Sequence, residues 1–168
     1  WLLLPFIELQ SEHRLTFTAL LAPHNEHIPF FPRLLLVGLA RATGWNLWYE
    51  CVLGIALGVA TLVPLLALIH RDEGIRRREK ALLFAVAGVT VLSLNQWENW
   101  MWGWQVEVFL NTAAIGWALL LLVQGSGPLA LAAAASCGVV ATFRFANGPL
   151  FWLVSVPLVW CRRRGRWL

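Results

Sequence analysis

Residues 95–105 read NQWENWMWGWQ, so that four of the chain's 11 tryptophans surround a single carboxylate, that of Glu98. Long apolar segments lie on both sides of this stretch. Tryptophan is enriched where hydrocarbon meets headgroups and water, because its ring is apolar while its N–H is polar. The stretch therefore predicts a loop at a membrane surface, with Glu98 and the neighbouring amides facing water or a polar cavity.

Composition indicates the same class of protein. Hydrophobic residues make up 59% of the 168 residues, charged residues make up 13%, and the mean hydropathy is +0.66. Soluble domains carry about 25% charged residues. We therefore predict an all-α integral membrane protein with about five transmembrane helices and one or two interfacial helices. Since the chain begins at Trp1, we interpret it as a piece of a longer protein.

The predicted organisation is a single transmembrane domain, residues 1–168. It comprises an outer loop with interfacial helices (1–46), a transmembrane bundle (47–161) and a cytoplasmic basic tail (162–168). The predicted spans are residues 47–69, 81–94, 106–123, 129–143 and 150–160. Phe30 to Thr43 is too short and too charged for a comfortable span, so we predict an interfacial helix whose Arg33 and Arg41 snorkel outward.

The basic residues indicate the orientation. Nine of the 13 Lys and Arg residues fall in residues 71–80 and 162–166, next to apolar spans. This is the positive-inside pattern, which places residues 71–80 and 162–168 in the cytoplasm and makes a nucleic-acid partner unnecessary. Cys51, Cys137 and Cys161 show no ligand spacing and are interpreted as core residues.

Alternation of the spans then gathers three polar loops on the extracytoplasmic face: residues 23–29, 95–105 and 144–149. Charges at membrane depth usually face a cavity or a partner, so this face is the predicted functional site. Glu50 and Glu107 each lie about one turn inside a span, where they either snorkel outward or contribute to a buried site.

Several side chains on this face have alternative interpretations. His24, Glu26 and His27 are metal ligands, general bases, or parts of a loop held by its own hydrogen bonds. Glu98 is either a partly desolvated acid among indoles or a solvated acid beside an aromatic belt. Arg144 binds a lipid phosphate or pairs with a carboxylate, and Asn147 belongs to a turn first and a substrate loop second.

Four runs in the sequence carry a resemblance to a known group: residues 24–27 (HNEH), 31–35 (FPRLL), 96–105 (QWENWMWGWQ) and 145–148 (FANG). Together they resemble poorly characterised bacterial multi-spanning membrane proteins that are similar to the GT-C glycosyltransferases. The likeness extends from about Trp1 to Pro157. It implies a multi-pass protein of the bacterial inner membrane that takes a sugar from a polyprenyl-phosphate donor on the extracytoplasmic face.

The resemblance also implies roles for particular residues. His24, Glu26 and Glu98 are the implied catalytic residues, and a divalent cation, Mg²⁺ or Mn²⁺, is implied at His24, Glu26 and His27. The implied substrate-binding residues are Arg33, Trp97, Asn99, Trp100, Trp102, Gln105, Arg144 and Asn147. GT-C enzymes carry an acid in their first outer loop, so the catalytic base is expected just upstream of Trp1.

Two other classes of function remain open from the residues alone. A transporter or lipid-binding scaffold would use buried Glu50, Glu107 and Arg144 as a relay or binding site and would tolerate changes at His24 and Glu26. A purely structural subunit would not need the three outer loops to converge. Membrane lipids are partners in every interpretation.

Overall fold

A computed structural model of the protein describes residues 4–25, 28–143 and 148–163, with side chains described as far as Trp160. The regular elements of these described residues are helices, and no β-strand occurs among them, as the sequence predicts. The α-helices in chain order are α1 (Leu4–Ser11), α2 (Phe17–Leu20), α3 (Phe30–Thr43), α4 (Trp48–Arg71), α5 (Arg77–Val91), α6 (Trp97–Met101), α7 (Val106–Gln124), α8 (Gly127–Thr142) and α9 (Leu150–Arg163).

Three helical segments are long and apolar enough to cross a membrane: Trp48–Arg71, Arg77–Met101 and Gly103–Gln124. At about 1.5 Å rise per residue, α4 exceeds the hydrocarbon thickness of about 30 Å, whereas the other two segments reach that length only together with the short helical turns that follow α5 and precede α7. The two further predicted spans are helical, but α8 has 16 residues and α9 has 14, which is short for a straight crossing. By length and composition, the described residues thus contain three helices that can cross a membrane, which indicates a membrane protein, while the predicted total of five spans is not confirmed.

Helix α3 has the predicted bounds and ends at Gly44, whose φ of 62° lies in the left-handed region that glycine adopts without strain. Arg41 is exposed and its snorkelling stays a prediction, whereas the snorkelling prediction is wrong for Arg33, which is only 3% exposed. The reason is that the segment from α1 to α2 folds over α3 and covers Arg33.

One face of α4 carries its buried residues at intervals of three and four: Glu50, Gly54, Gly58, Thr61 and Pro64. This spacing places them in a single stripe along the helix. The stripe packs against α7, and the two glycines leave room for aromatic side chains, since an added Cβ would lie 4.0 Å from Phe109 at Gly54 and 2.6 Å from Trp100 at Gly58. The hydroxyl of Thr61 adds contacts across the interface to the Phe109 carbonyl (3.4 Å) and the Thr112 hydroxyl (3.2 Å).

Pro64 lies inside α4 without ending it. A proline has no N–H, so the carbonyl of Ala60, four residues earlier, lacks its usual partner within the helix. The indole of Trp117 on α7 supplies one, because its Nε1 donates to the Ala60 oxygen at 2.9 Å. The proline ring itself packs towards Gly116, where an added Cβ would lie 3.0 Å from the ring. Helix α7 thus supplies the hydrogen bond that the backbone of α4 lacks at this position.

Helix α7 lies at the centre of the bundle, packed against α3, α4, α8 and α9. Its buried residues occur on more than one face, as expected for a helix surrounded by others. Helix α5 packs against α4, but none of its residues is buried. Along the chain the helices α4 and α5 are neighbours, yet α4 makes its main interface with α7.

Candidate functional site

The first buried polar group of the site is Arg33 on α3. Its Nη1 donates to the carbonyl of Leu20 at 3.1 Å and also to the carbonyl of Ala22. The guanidinium lies over the ring of Phe6, with 4.6 Å between its carbon and the ring centroid. Arg33 therefore holds α1 and the segment after α2 against α3, immediately before the loop that carries His24.

Helix α7 presents the second group, Glu107, in its first turn. Glu107 is 6% exposed, and Asn111, one turn later on the same face, is also buried. Burial lowers the pKa of the Arg33 guanidinium from its ordinary value, while the charge of Glu107 acts to raise it. Arg33 and Glu107 therefore interact electrostatically across the contact between α3 and α7.

The predicted convergence of the first two polar loops is visible at His24. Its imidazole contacts Trp104 edge to face, with 5.6 Å between the ring centroids. Trp104 is buried in a cluster with Leu36 of α3 and Val106 of α7. The loop at residues 23–25 and the end of the tryptophan-rich stretch therefore meet at one end of the bundle.

Glu50 lies at the same end, in the first turn of α4, and is 7% exposed. Its carboxylate occupies the space beside Gly103, because a Cβ added at Gly103 would overlap the carboxylate oxygen. Gly103 comes just before Trp104 and four residues before Glu107. Two buried carboxylates, on α4 and α7, thus lie beneath the tryptophan-rich stretch, and the alternative in which they snorkel outward is wrong.

Trp100, like Trp104, is a residue of this stretch that points into the bundle. Its ring stacks on Phe109 of α7 at 4.4 Å between centroids, and its edge fills the space at Gly58, where an added Cβ would be 2.6 Å away. The indole Nε1 donates to the carbonyl of Ser93 at 3.1 Å. Trp100 therefore wedges between α4 and α7, and its surroundings are those of a packing residue.

The amide groups of this stretch hydrogen-bond to nearby carbonyl oxygens. The Nε2 of Gln96 donates to the carbonyls of Thr90 and Val91 at the end of α5, and Asn99 donates to the Oε1 of Gln96. The N–H of Gln105 donates to the Trp102 carbonyl at 2.8 Å. These bonds explain how so many polar groups are satisfied in a tight connection between two apolar helices.

Glu98 is exposed, and so are Trp97 and Trp102. Of the two alternatives for Glu98, this exposure agrees with the solvated acid beside an aromatic belt. Within α6, Glu98 and Trp100 are two residues apart and therefore lie on different faces of the helix, and Trp100 is the one that packs inward. Trp97 and Trp102 are placed as interfacial aromatic side chains would be.

Four of the predicted site residues, Glu26, His27, Arg144 and Asn147, lie outside the described residues. Within the described part of the chain, no three His, Cys, Asp or Glu side chains are grouped to hold a metal ion. His24, the one predicted ligand that is described, packs against Trp104. The predicted metal site stays a prediction.

The sequence indicated Glu98 as the central acid of the site, whereas the acids that are buried among the described residues are Glu50 and Glu107. A signal for Glu50 exists in the sequence, because it begins the stripe that continues through Gly54 and Gly58. For Glu107 no comparable pattern distinguishes a buried position from a snorkelling one. Its burial depends on α3, which covers the start of α7.

Buried carboxylates beside a guanidinium can accept a proton, bind a cation or hydrogen-bond a hydroxyl group. Comparison of the chain with protein-family models, curated proteins and solved structures gives no match.

Proposed function

We propose that the chain is part of a membrane protein that transfers a sugar from a polyprenyl-phosphate donor, at the end of the bundle where His24 meets Trp104. The observation that carries the proposal is the pair of buried carboxylates, Glu50 and Glu107, at that same end. The proposal places this end on the extracytoplasmic side of the bacterial inner membrane and the two basic segments in the cytoplasm.

The chemistry needs a base for the acceptor hydroxyl, and a carboxylate within hydrogen-bonding reach can serve. Among the described residues, Glu50 and Glu107 are the acids that the bundle holds away from bulk water at this end. Glu98 is exposed, which makes it the weaker candidate of the three. The exposed rings of Trp97 and Trp102 supply apolar faces on which a sugar ring or an isoprenoid chain can stack.

The role of Arg33 changes in this proposal. Its Nη1 is occupied by the Leu20 and Ala22 carbonyls, so we assign it to positioning the His24 loop and not to holding the donor phosphate. No step is assigned to a divalent cation, because two of its three predicted ligands, Glu26 and His27, lie outside the described residues. Mg²⁺ or Mn²⁺ remains a prediction that removal by EDTA tests.

The test is a transfer assay on the full chain in membrane vesicles, with radiolabelled polyprenyl-phosphate sugars as donors. Loss of a general base typically costs 10²–10⁴-fold in rate. We expect a loss of about 100-fold or more from Glu50→Gln or Glu107→Gln, and an unchanged rate from the control Glu73→Gln, an exposed acid beyond the other end of α4. Wild-type vesicles that release no sugar from any donor, or full rates in both buried variants, would refute the proposal.

A transporter is the second candidate, and the same two buried carboxylates on adjacent helices favour it, since intramembrane acids commonly mark proton or ion pathways. Proteoliposomes of the full chain would then show proton or cation flux that Glu107→Gln abolishes. His24→Ala separates the two candidates. It should lower sugar transfer, where His24 borders the site, and leave flux unchanged.

A further inference from the structure

A second polar site lies at the opposite end of α4, where the chain turns into α5. The structure contains a cavity of about 400 Å³ there, and its lining joins basic and apolar side chains: His70, Ile75, Arg77, Lys80, Ala81 and Phe84. It adjoins the ends of two helical segments of spanning length, Trp48–Arg71 and Arg77–Met101. The cavity therefore borders the boundary between hydrocarbon and headgroups.

The acidic residues of this turn are directed elsewhere. Asp72 accepts from the Gly74 N–H at 2.8 Å, and Asp72 and Glu73 line a neighbouring cavity on the other side of the turn. Glu79 accepts from the N–H of Arg76 at 3.1 Å and lies 3.9 Å from its guanidinium. The cavity at Arg77 consequently has a lining with two full positive charges and no carboxylate.

Lys80 is held in place at this cavity. Its Nζ donates to the His70 carbonyl at 2.6 Å, which also satisfies a backbone acceptor near the end of α4. An ammonium group has three donors, so two remain for a ligand. Arg77 lies three residues earlier on the same face of α5, and its guanidinium can bind a phosphate with two hydrogen bonds.

The two basic residues also oppose the usual charge preference of a helix. The first turn of a helix favours acidic side chains, because its N-terminal end carries partial positive charge. Arg77 and Lys80 lie at that end of α5. A bound anion would offset the resulting repulsion, and the apolar wall of Ile75 and Phe84 would suit the chains attached to it.

We propose that this cavity binds the headgroup of an anionic phospholipid of the bilayer. The phosphate lies between Arg77 and Lys80, and the start of an acyl chain packs along Ile75 and Phe84. Basic pockets between membrane helices bind anionic headgroups by this combination of contacts. The inference does not depend on the proposed sugar transfer.

The test titrates the detergent-solubilised full chain with fluorescent phosphatidylglycerol, and with phosphatidylcholine as the zwitterionic comparison. Each basic residue near an anionic surface contributes about fivefold in binding. We therefore expect Arg77→Gln with Lys80→Gln to weaken phosphatidylglycerol binding by about 25-fold. The matched control is Arg76→Gln with Arg78→Gln, which removes the same charge from the same turn outside the cavity lining.

Arg77→Gln alone keeps the bond between Lys80 and His70, so it separates lipid binding from stability of the turn. We expect about a fivefold loss of binding with an unchanged melting temperature. Equal losses in the two double variants would overturn the proposal, because they would indicate diffuse attraction to a basic loop. Equal binding of phosphatidylcholine, or of inorganic phosphate as the sole ligand, would overturn it as well.

Discussion

The hydrogen bond from Trp117 to the Ala60 carbonyl gives a sharp prediction about stability. Pro64 removes the N–H that would normally bond this carbonyl, and the indole at 2.9 Å replaces it. Trp117→Phe keeps an aromatic ring but removes the donor. An unsatisfied carbonyl in an apolar environment costs about 1–3 kcal/mol, and hydrogen bonds between membrane helices contribute about 0.6–2 kcal/mol. We expect Trp117→Phe to lower the free energy of unfolding by about 1–2 kcal/mol.

The matched background is Pro64→Ala, which restores an N–H at position 64 within reach of the Ala60 carbonyl. The indole donor is then redundant, and Trp117→Phe should cost little in that background. Pro64→Ala also loses packing of the ring near Gly116, but this loss occurs on both sides of the double-mutant cycle and cancels. We expect a coupling energy of about 1 kcal/mol between the two positions.

The assay is reversible unfolding of the full chain in mixed micelles by titration with a denaturing detergent, followed by circular dichroism, for the wild type, both single variants and the double variant. If Trp117→Phe costs the same in both backgrounds, the indole does not compensate for the proline. That result would refute the predicted coupling between Trp117 and Pro64, whatever the absolute stability of each variant.

Three further predictions concern the site itself. Gly103→Ala should destabilise the fold by about 1–3 kcal/mol through overlap with the Glu50 carboxylate, and adding Glu50→Ala should restore part of it in the same micelle assay. Arg33→Met should lower the free energy of unfolding by about 1.5–3 kcal/mol, because it removes charge-assisted hydrogen bonds to two carbonyls. Faster protease cleavage near residue 22 would confirm that the segment is released, and unchanged cleavage would contradict it. Trp100→Ala should lower the free energy of unfolding by about 3–5 kcal/mol, because the ring lies between two helices. Trp97→Ala, at an exposed site, should change it by about 0.5 kcal/mol or less. Similar losses in the two variants would contradict the assignment of inner and outer faces.

The helices were predictable because each is encoded by a local pattern. Long apolar runs with one acid in the first turn indicated α4 and α7, and Gly44 indicated the end of α3. The meeting of the first polar loop with the tryptophan-rich stretch also followed from alternation of the spans, and the contact between His24 and Trp104 agrees with it.

The chemistry of the site was less predictable because it depends on which charges are covered. Arg33 and Arg41 look equivalent on one interfacial helix, yet the segment around Leu20 covers the first and leaves the second exposed. Glu98 stands out in the sequence because tryptophans surround it, but sequence neighbours on a helix face different directions. Spacing by four, which links Glu50 to Gly54, was the more informative pattern.

The hydrogen bond that α7 supplies to α4 has a consequence for the order in which the helices assemble. Synthesis proceeds from the N-terminus, so α4 reaches the bilayer before Trp117 has been added to the chain. During that interval the carbonyl of Ala60 lacks its indole donor, and the newly inserted helix is incomplete at Pro64. Helix α5 is synthesised before α7 but buries none of its residues, so the hydrogen bond to the Ala60 carbonyl forms only after α7 has been made. Assembly of this bundle therefore has a fixed order, in which α7, made late, supplies the hydrogen bond that α4, made early, lacks.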